Sequence, residues 1–118
     1  MESYQELEVW QKAINLVTEI YKTTRTFPKE KIYALSSQTQ RAAISIPANI
    51  AEGWGRNMTK EYIQFLRIAR GSLLELETHM IISKNLNYVN EQILESILQK
   101  TKQINKMINS LIKSLTKK

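Results

Sequence analysis

Apolar residues recur three and four positions apart along four separate stretches of the chain, the spacing that lines side chains up on one face of an α-helix. The first stretch, about Glu6 to Thr24, carries Leu7, Trp10, Ile14, Val17 and Tyr21 on its stripe. Those five are its expected inward face. Thr26-Phe27-Pro28 ends it, because the residue before a proline is pushed out of the α region. The second stretch runs from about Lys31 to Gly55, with Leu35, Ala42, Ala43, Ile46, Ile50 and Trp54 on its apolar side. Pro47 lies inside it, removing one hydrogen bond and crowding the carbonyl of Ala43, at a cost of about 3 kcal/mol. The pattern continues on both sides of Pro47, which predicts a single helix kinked there. Ser45 and Asn49 stand where they can satisfy backbone groups that a kink frees. Gly53 and Gly55 offer the permissive backbone of a helix C-terminus.

The third stretch starts near Thr59, whose hydroxyl suits an N-cap, and runs to about Asn87. Its stripe is Tyr62, Phe65, Leu66, Ala69, Leu73, Leu76 and Met80. Ile63, Leu74 and Ile81 form a second apolar line about a quarter-turn away. One bundle interior covers one such arc, so the second line is expected to meet another subunit. The fourth stretch begins at Asn90. Leu94, Ile97, Thr101, Ile104, Ile108, Leu111 and Leu115 form a heptad seam of the kind that packs knobs into holes. Only Thr101 interrupts it. Connections this short make successive helices antiparallel neighbours. The expectation is an all-α, antiparallel up-and-down four-helix bundle forming one domain over residues 1–118.

Composition narrows the chemistry. There is no Cys and no Asp, and a single His, so neither a Ser–His–Asp nor a Cys–His constellation can be assembled. Glu75 and Glu77 are two apart, which sends them to different sides of a helix. Glu75 and His79 share a face, but Leu76 stands three before His79, where a di-iron bundle needs a glutamate. The expectation is a protein that is not an enzyme and holds no metal or other cofactor. No apolar run approaches the roughly 20 residues that span a bilayer, and residues 1–8 are acidic without a signal core. The chain reads as soluble and cytoplasmic, without a membrane partner.

The net charge of +6 is unevenly placed. All 11 acidic residues lie before residue 96, where basic residues balance them. Beyond it come Lys100, Lys102, Lys106, Lys113, Lys117 and Lys118 with no acid. On the helical wheel Lys102, Lys106, Lys113 and Lys117 gather opposite the seam of the fourth helix. Such a ridge suits phosphates; it also suits a helix that merely needs a solvated face. Arg56, Lys60 and Arg67 near the second turn are further candidates for a basic patch. Arg41, Arg70, Glu75 and Glu77, with Asn49 and Glu52 nearby, read instead as Arg–Glu pairs that fix helix register. Gly53-Trp-Gly55-Arg lacks the strand and the longer glycine pattern of a phosphate loop. Trp10, Trp54, Tyr62 and Phe65 read as core or subunit-contact residues, since base-stacking platforms need exposure.

Ser45-Ile-Pro-Ala-Asn-Ile-Ala-Glu-Gly-Trp-Gly-Arg56 and Phe65-Leu-Arg-Ile-Ala-Arg-Gly-Ser-Leu-Leu-Glu-Leu-Glu77 resemble the bacterial four helix bundle protein family. Its members include proteins encoded in intervening sequences of 23S ribosomal RNA genes. Leu7-Glu-Val-Trp-Gln-Lys-Ala13 and the turn at Phe27-Pro28 are similar to the family's as well. The resemblance covers nearly the whole chain but not the C-terminal lysines. It implies an up-and-down bundle that assembles into a ring, commonly a pentamer. A relative, the accessory variability protein of diversity-generating retroelements, is a pentameric barrel whose basic surface engages nucleic acid and a reverse transcriptase. The function expected from residues and resemblance together is a homo-oligomeric accessory protein that associates with RNA or DNA, and with a nucleic-acid-processing protein. The alternative is a protein–protein scaffold whose lysines are only solvated.

Overall fold

The computed structural model describes residues 2–29 and 33–117, with Tyr33 described by its backbone alone. A short 3₁₀ turn, Tyr4–Glu6, precedes four helices: α1 (Glu8–Thr24), α2 (Tyr33–Gly55), α3 (Thr59–Asn85) and α4 (Glu91–Thr116). There is no strand among the described residues. The start expected at Lys31 lies outside them. α1 packs on α2 and α4, α2 on α3, and α3 on α4, in a body of 48 × 21 × 20 Å. All four helices contribute to one cluster of buried apolar side chains. No described helix is long and apolar enough to cross a membrane.

The turns explain where the helices stop. After α2, Asn57 adopts φ 60°, and after α3, Asn87 adopts φ 64°; both are left-handed conformations that asparagine tolerates better than most residues. Glycine was the expected device at the end of α2, yet no glycine has positive φ. Gly53 serves close packing instead. A Cβ there would lie 2.7 Å from Phe65 Cβ and 3.2 Å from the Tyr62 carbonyl oxygen, so α2 and α3 touch where only a hydrogen fits. Thr59 does not cap α3 either. It is the first helical residue, and Met58 holds the cap position without a side-chain bond.

On α2, Ala42, Ala43, Ile46 and Ile50 are buried as expected, and Leu35 packs against the core. α3 buries Leu66, Ala69, Leu73, Leu76 and Met80, with Tyr62 at the edge. α4 buries Leu94, Ile97, Thr101, Ile104 and Ile108, then Ile112, while Leu111 and Leu115 flank them. α1 departs from its stripe. The buried line is Val9, Ala13, Leu16, Ile20 and Thr24, whereas Ile14 and Tyr21 are 37% and 38% exposed. The helix is turned by about one residue, near 100°, from the face expected. Leu7, Trp10 and Val17 still reach the core from its rim.

Candidate functional site

α4 turns a row of exposed lysines to solvent. Its start is fixed by Asn90, whose Oδ1 accepts from the Ile93 amide at 2.8 Å, and its buried line commits the opposite side to solvent. Lys102, Lys106, Lys113 and Lys117 are all exposed there, and none joins an ion pair among the described residues. At about 1.5 Å per residue they stretch over roughly 22 Å. Lys100 lies on the flank and pairs with Glu19 of α1 instead. Glu95 sits two turns before Lys102 on the same side, and no acidic residue follows it. Lys118 lies outside the described residues.

α3 adds to this surface. Arg70 Nη1 donates to Asn109 Oδ1 of α4 at 2.7 Å. Thr101 Oγ1 donates to Glu77 at 2.5 Å, and Lys84 pairs with Glu91 at 3.3 Å. These three contacts join α3 to α4, and Arg67 lies one turn before Arg70 on α3. Arg67 and Lys60 are exposed. Arg56 does not share in this field. Its guanidinium meets Glu52 at 3.2 Å and Glu61 at 3.7 Å, and lies over the Phe65 ring at 5.0 Å.

The register-fixing Arg–Glu pairs are replaced by shorter polar contacts. Arg70 takes Asn109, and Glu77 takes Thr101, as just described. Arg41 and Glu75 line one surface hollow with Gln38, Ala42 and Ser45, but form no ion pair with each other. Glu75 instead lies 3.8 Å from Nε2 of the buried His79, and no group of three or more potential metal ligands gathers among the described residues. Glu52 pairs with Arg56. Between α2 and α3, Ser72 Oγ donates to Ser45 Oγ at 2.8 Å, while Asn49 Nδ2 donates to the Ser45 carbonyl at 2.8 Å and to its hydroxyl at 2.9 Å. Ser72–Ser45 joins α2 to α3 through two neutral hydroxyls, while Arg70 and Glu77 each meet a neutral partner on α4 and Asn49 bonds within α2.

The expected subunit-contact line on α3 divides. Leu74 and Ile81 are exposed, at 53% and 44%, but Ile63 packs against the core. A second apolar surface was missed. Ile14 and Trp10 of α1 border a hollow with Tyr4 and with Ile44, Pro47, Ala48 and Ala51 of α2. Tyr4 reaches it because the 3₁₀ turn, held by a Ser3–Glu6 capping box, lays its ring against Trp10 and Trp54. The available signal was the apolar arc of α1, about half the helix circumference, which is more than one core needs.

The 23S rRNA-intervening sequence protein family model matches residues 5–110. The chain belongs to this family. A protein of unknown function from the S23 ribosomal protein family of Bacteroides thetaiotaomicron, solved by crystallography, is similar over 89% of this chain and 98% of its own. The two share 27% identity and superpose with a TM-score of 0.83. No curated protein matches the chain. The matched span ends before Lys113 and Lys117, so half of the lysine ridge lies beyond it.

Proposed function

We propose that this family member is a non-enzymatic, cytoplasmic, homo-oligomeric accessory protein that associates with RNA or DNA through phosphate contacts. The observation that carries the reading is the line of exposed, unpaired Lys102, Lys106, Lys113 and Lys117, extended by Arg67 and Lys60 from α3. The family's name, which ties it to intervening sequences of 23S rRNA, is consistent with an RNA setting. In this reading the bundle is up-and-down and antiparallel, supported by the descending α3–α4 pairings and by Ser45–Ser72 between α2 and α3. Pro47 bends α2 within it, and the absence of its amide N–H supports that bend. The exposed Leu74 and Ile81, together with the Ile14–Ile44 surface, support burial against further copies, with the ring and the pentamer coming from the resemblance alone.

Four phosphate contacts at about −0.9 each give a log–log salt slope near −3.6, so affinity falls about 150-fold between 50 and 200 mM salt. Fluorescence anisotropy on a labelled nucleic acid across that range reads the slope. The double reversal Lys106→Glu, Lys113→Glu is expected to lower the slope by about 1.8 and to weaken binding alike for every sequence. A salt-insensitive signal, or none at low salt, overturns the reading. A protein–protein scaffold is the second reading, favoured by the Ile14–Ile44 hollow. Retention of nuclease-resistant protein partners, with no salt-dependent nucleic-acid binding, decides for it.

A further inference from the structure

The outer surface of α3 and α4 lacks one component that single-strand binders use. α4 contains no aromatic residue, and the aromatics of α3, Tyr62 and Phe65, are half-buried on the side facing α2. The exposed positions beside the lysines are Asn109, Ser110 and Gln103 on α4, and Arg67 and Thr78 on α3. Sequence-tolerant grip on single strands relies on bases stacking on aromatic rings. This surface offers charge without stacking.

Shape narrows the ligand further. α4 packs against both α1 and α3, so it does not stand clear of its neighbours. Entry into the B-form DNA major groove requires a helix that stands clear of its neighbours. A-form RNA instead has a wide, shallow minor groove bordered by phosphates and 2′-hydroxyls, which a helix seated among its neighbours can lie across. The lysines also fall into two pairs, Lys102 with Lys106 and Lys113 with Lys117, about 16 Å apart centre to centre along α4. Two pairs with Asn109 and Ser110 between them match two phosphate rows flanking a groove better than one continuous strand.

Resting on the nucleic-acid reading above, we propose that the α3–α4 face binds double-stranded RNA by its shape and backbone, without reading base sequence. The test compares three labelled probes by anisotropy in about 50 mM salt: an RNA duplex of about 20 base pairs, one of its strands alone, and the DNA duplex of the same sequence. The RNA duplex is expected to bind at least about tenfold more tightly than either of the others, and a second RNA duplex of unrelated sequence to bind equally. Equal or tighter binding of the single strand or the DNA duplex overturns the duplex-RNA proposal while leaving the nucleic-acid reading standing. Binding to none of the three overturns both. Lys106→Gln with Lys113→Gln, and separately Arg67→Gln, are expected to weaken the RNA duplex complex while leaving the thermal midpoint unchanged. An unchanged duplex affinity in all of these variants places the contact on another face and overturns the assignment.

Discussion

α1 and α4 carry equally regular three-and-four stripes, yet one stripe is buried and the other stands at the rim. On α4 the stripe occupies the middle of the apolar arc, and lysines fill the opposite side, so only one orientation keeps charge in water. On α1 the apolar arc spans about half the circumference. The large residues Trp10, Ile14 and Tyr21 lie at one edge of it, and Val9, Ala13, Leu16 and Ile20 at the other. The core takes the second edge, where small Ala13 lets neighbouring helices approach and no side chain exposes a polar tip. Periodicity thus finds a line on a helix. Which line faces inward depends on where the polar residues sit, and α1 leaves that choice open by a quarter-turn.

Truncating both lines of α1, against one line of α4, has the largest expected effect. Leu16→Ala and Ile108→Ala, at positions 1% and 0% exposed, are each expected to cost about 2–5 kcal/mol through lost burial and a residual cavity. Ile14→Ala is expected to cost under about 1 kcal/mol in the monomer, since the side chain is already partly in water. Urea unfolding midpoints at low protein concentration read all three. Equal losses at Leu16 and Ile14 mean that α1 is oriented by its large residues after all. A loss at Ile14 that grows with protein concentration places that residue in a subunit contact.

The helix starts extend the contrast at smaller scale. α4 is capped by its own Asn90, whereas the cap position of α1 is Leu7, with no side-chain bond. Capping at that end is displaced upstream to Ser3 and Glu6, around the short 3₁₀ turn. Asn90→Ala is therefore expected to cost about 1 kcal/mol. Ser3→Ala, which loosens only an exposed turn ahead of α1, is expected to cost less than half of that. Thermal unfolding followed by circular dichroism separates the two, and a larger loss for Ser3→Ala than for Asn90→Ala would show that Tyr4 packing on Trp10 and Trp54 depends on the turn.

Other features were legible for the same local reasons. The four helices and their limits near Thr24, Gly55 and Asn90 follow from periodicity and from the proline and glycines that interrupt it, all local signals. The lysine face was legible because charge and seam lie on opposite sides of one helix. The polar partners were not. Arg70 with Asn109, Glu77 with Thr101 and Ser45 with Ser72 depend on the register between helices, which no single-helix pattern encodes. Gly53 was read as a backbone device because its need for space arises from Phe65 and Tyr62, which come from another helix.

Tyr62 offers the finest test of a stripe that runs along the rim. It sits on the expected apolar line of α3 and packs against the core, but it is only half-buried, with its neighbour Gly53 giving it room. Burial raises the pKa of its phenol above the ordinary 10.0 by disfavouring the phenolate. A phenol with a raised pKa in the fold holds its proton more tightly there than in the unfolded chain. Its contribution to stability is therefore complete below pH 10 and declines as pH rises through the raised value. Between about pH 9 and 11 the denaturant midpoint of the native protein is expected to fall relative to that of Tyr62→Phe as pH increases, because the variant lacks this titration. Parallel curves over that range would mean that the ring lies in water, and that the apolar line of α3, like that of α1, is turned away from the core at this end.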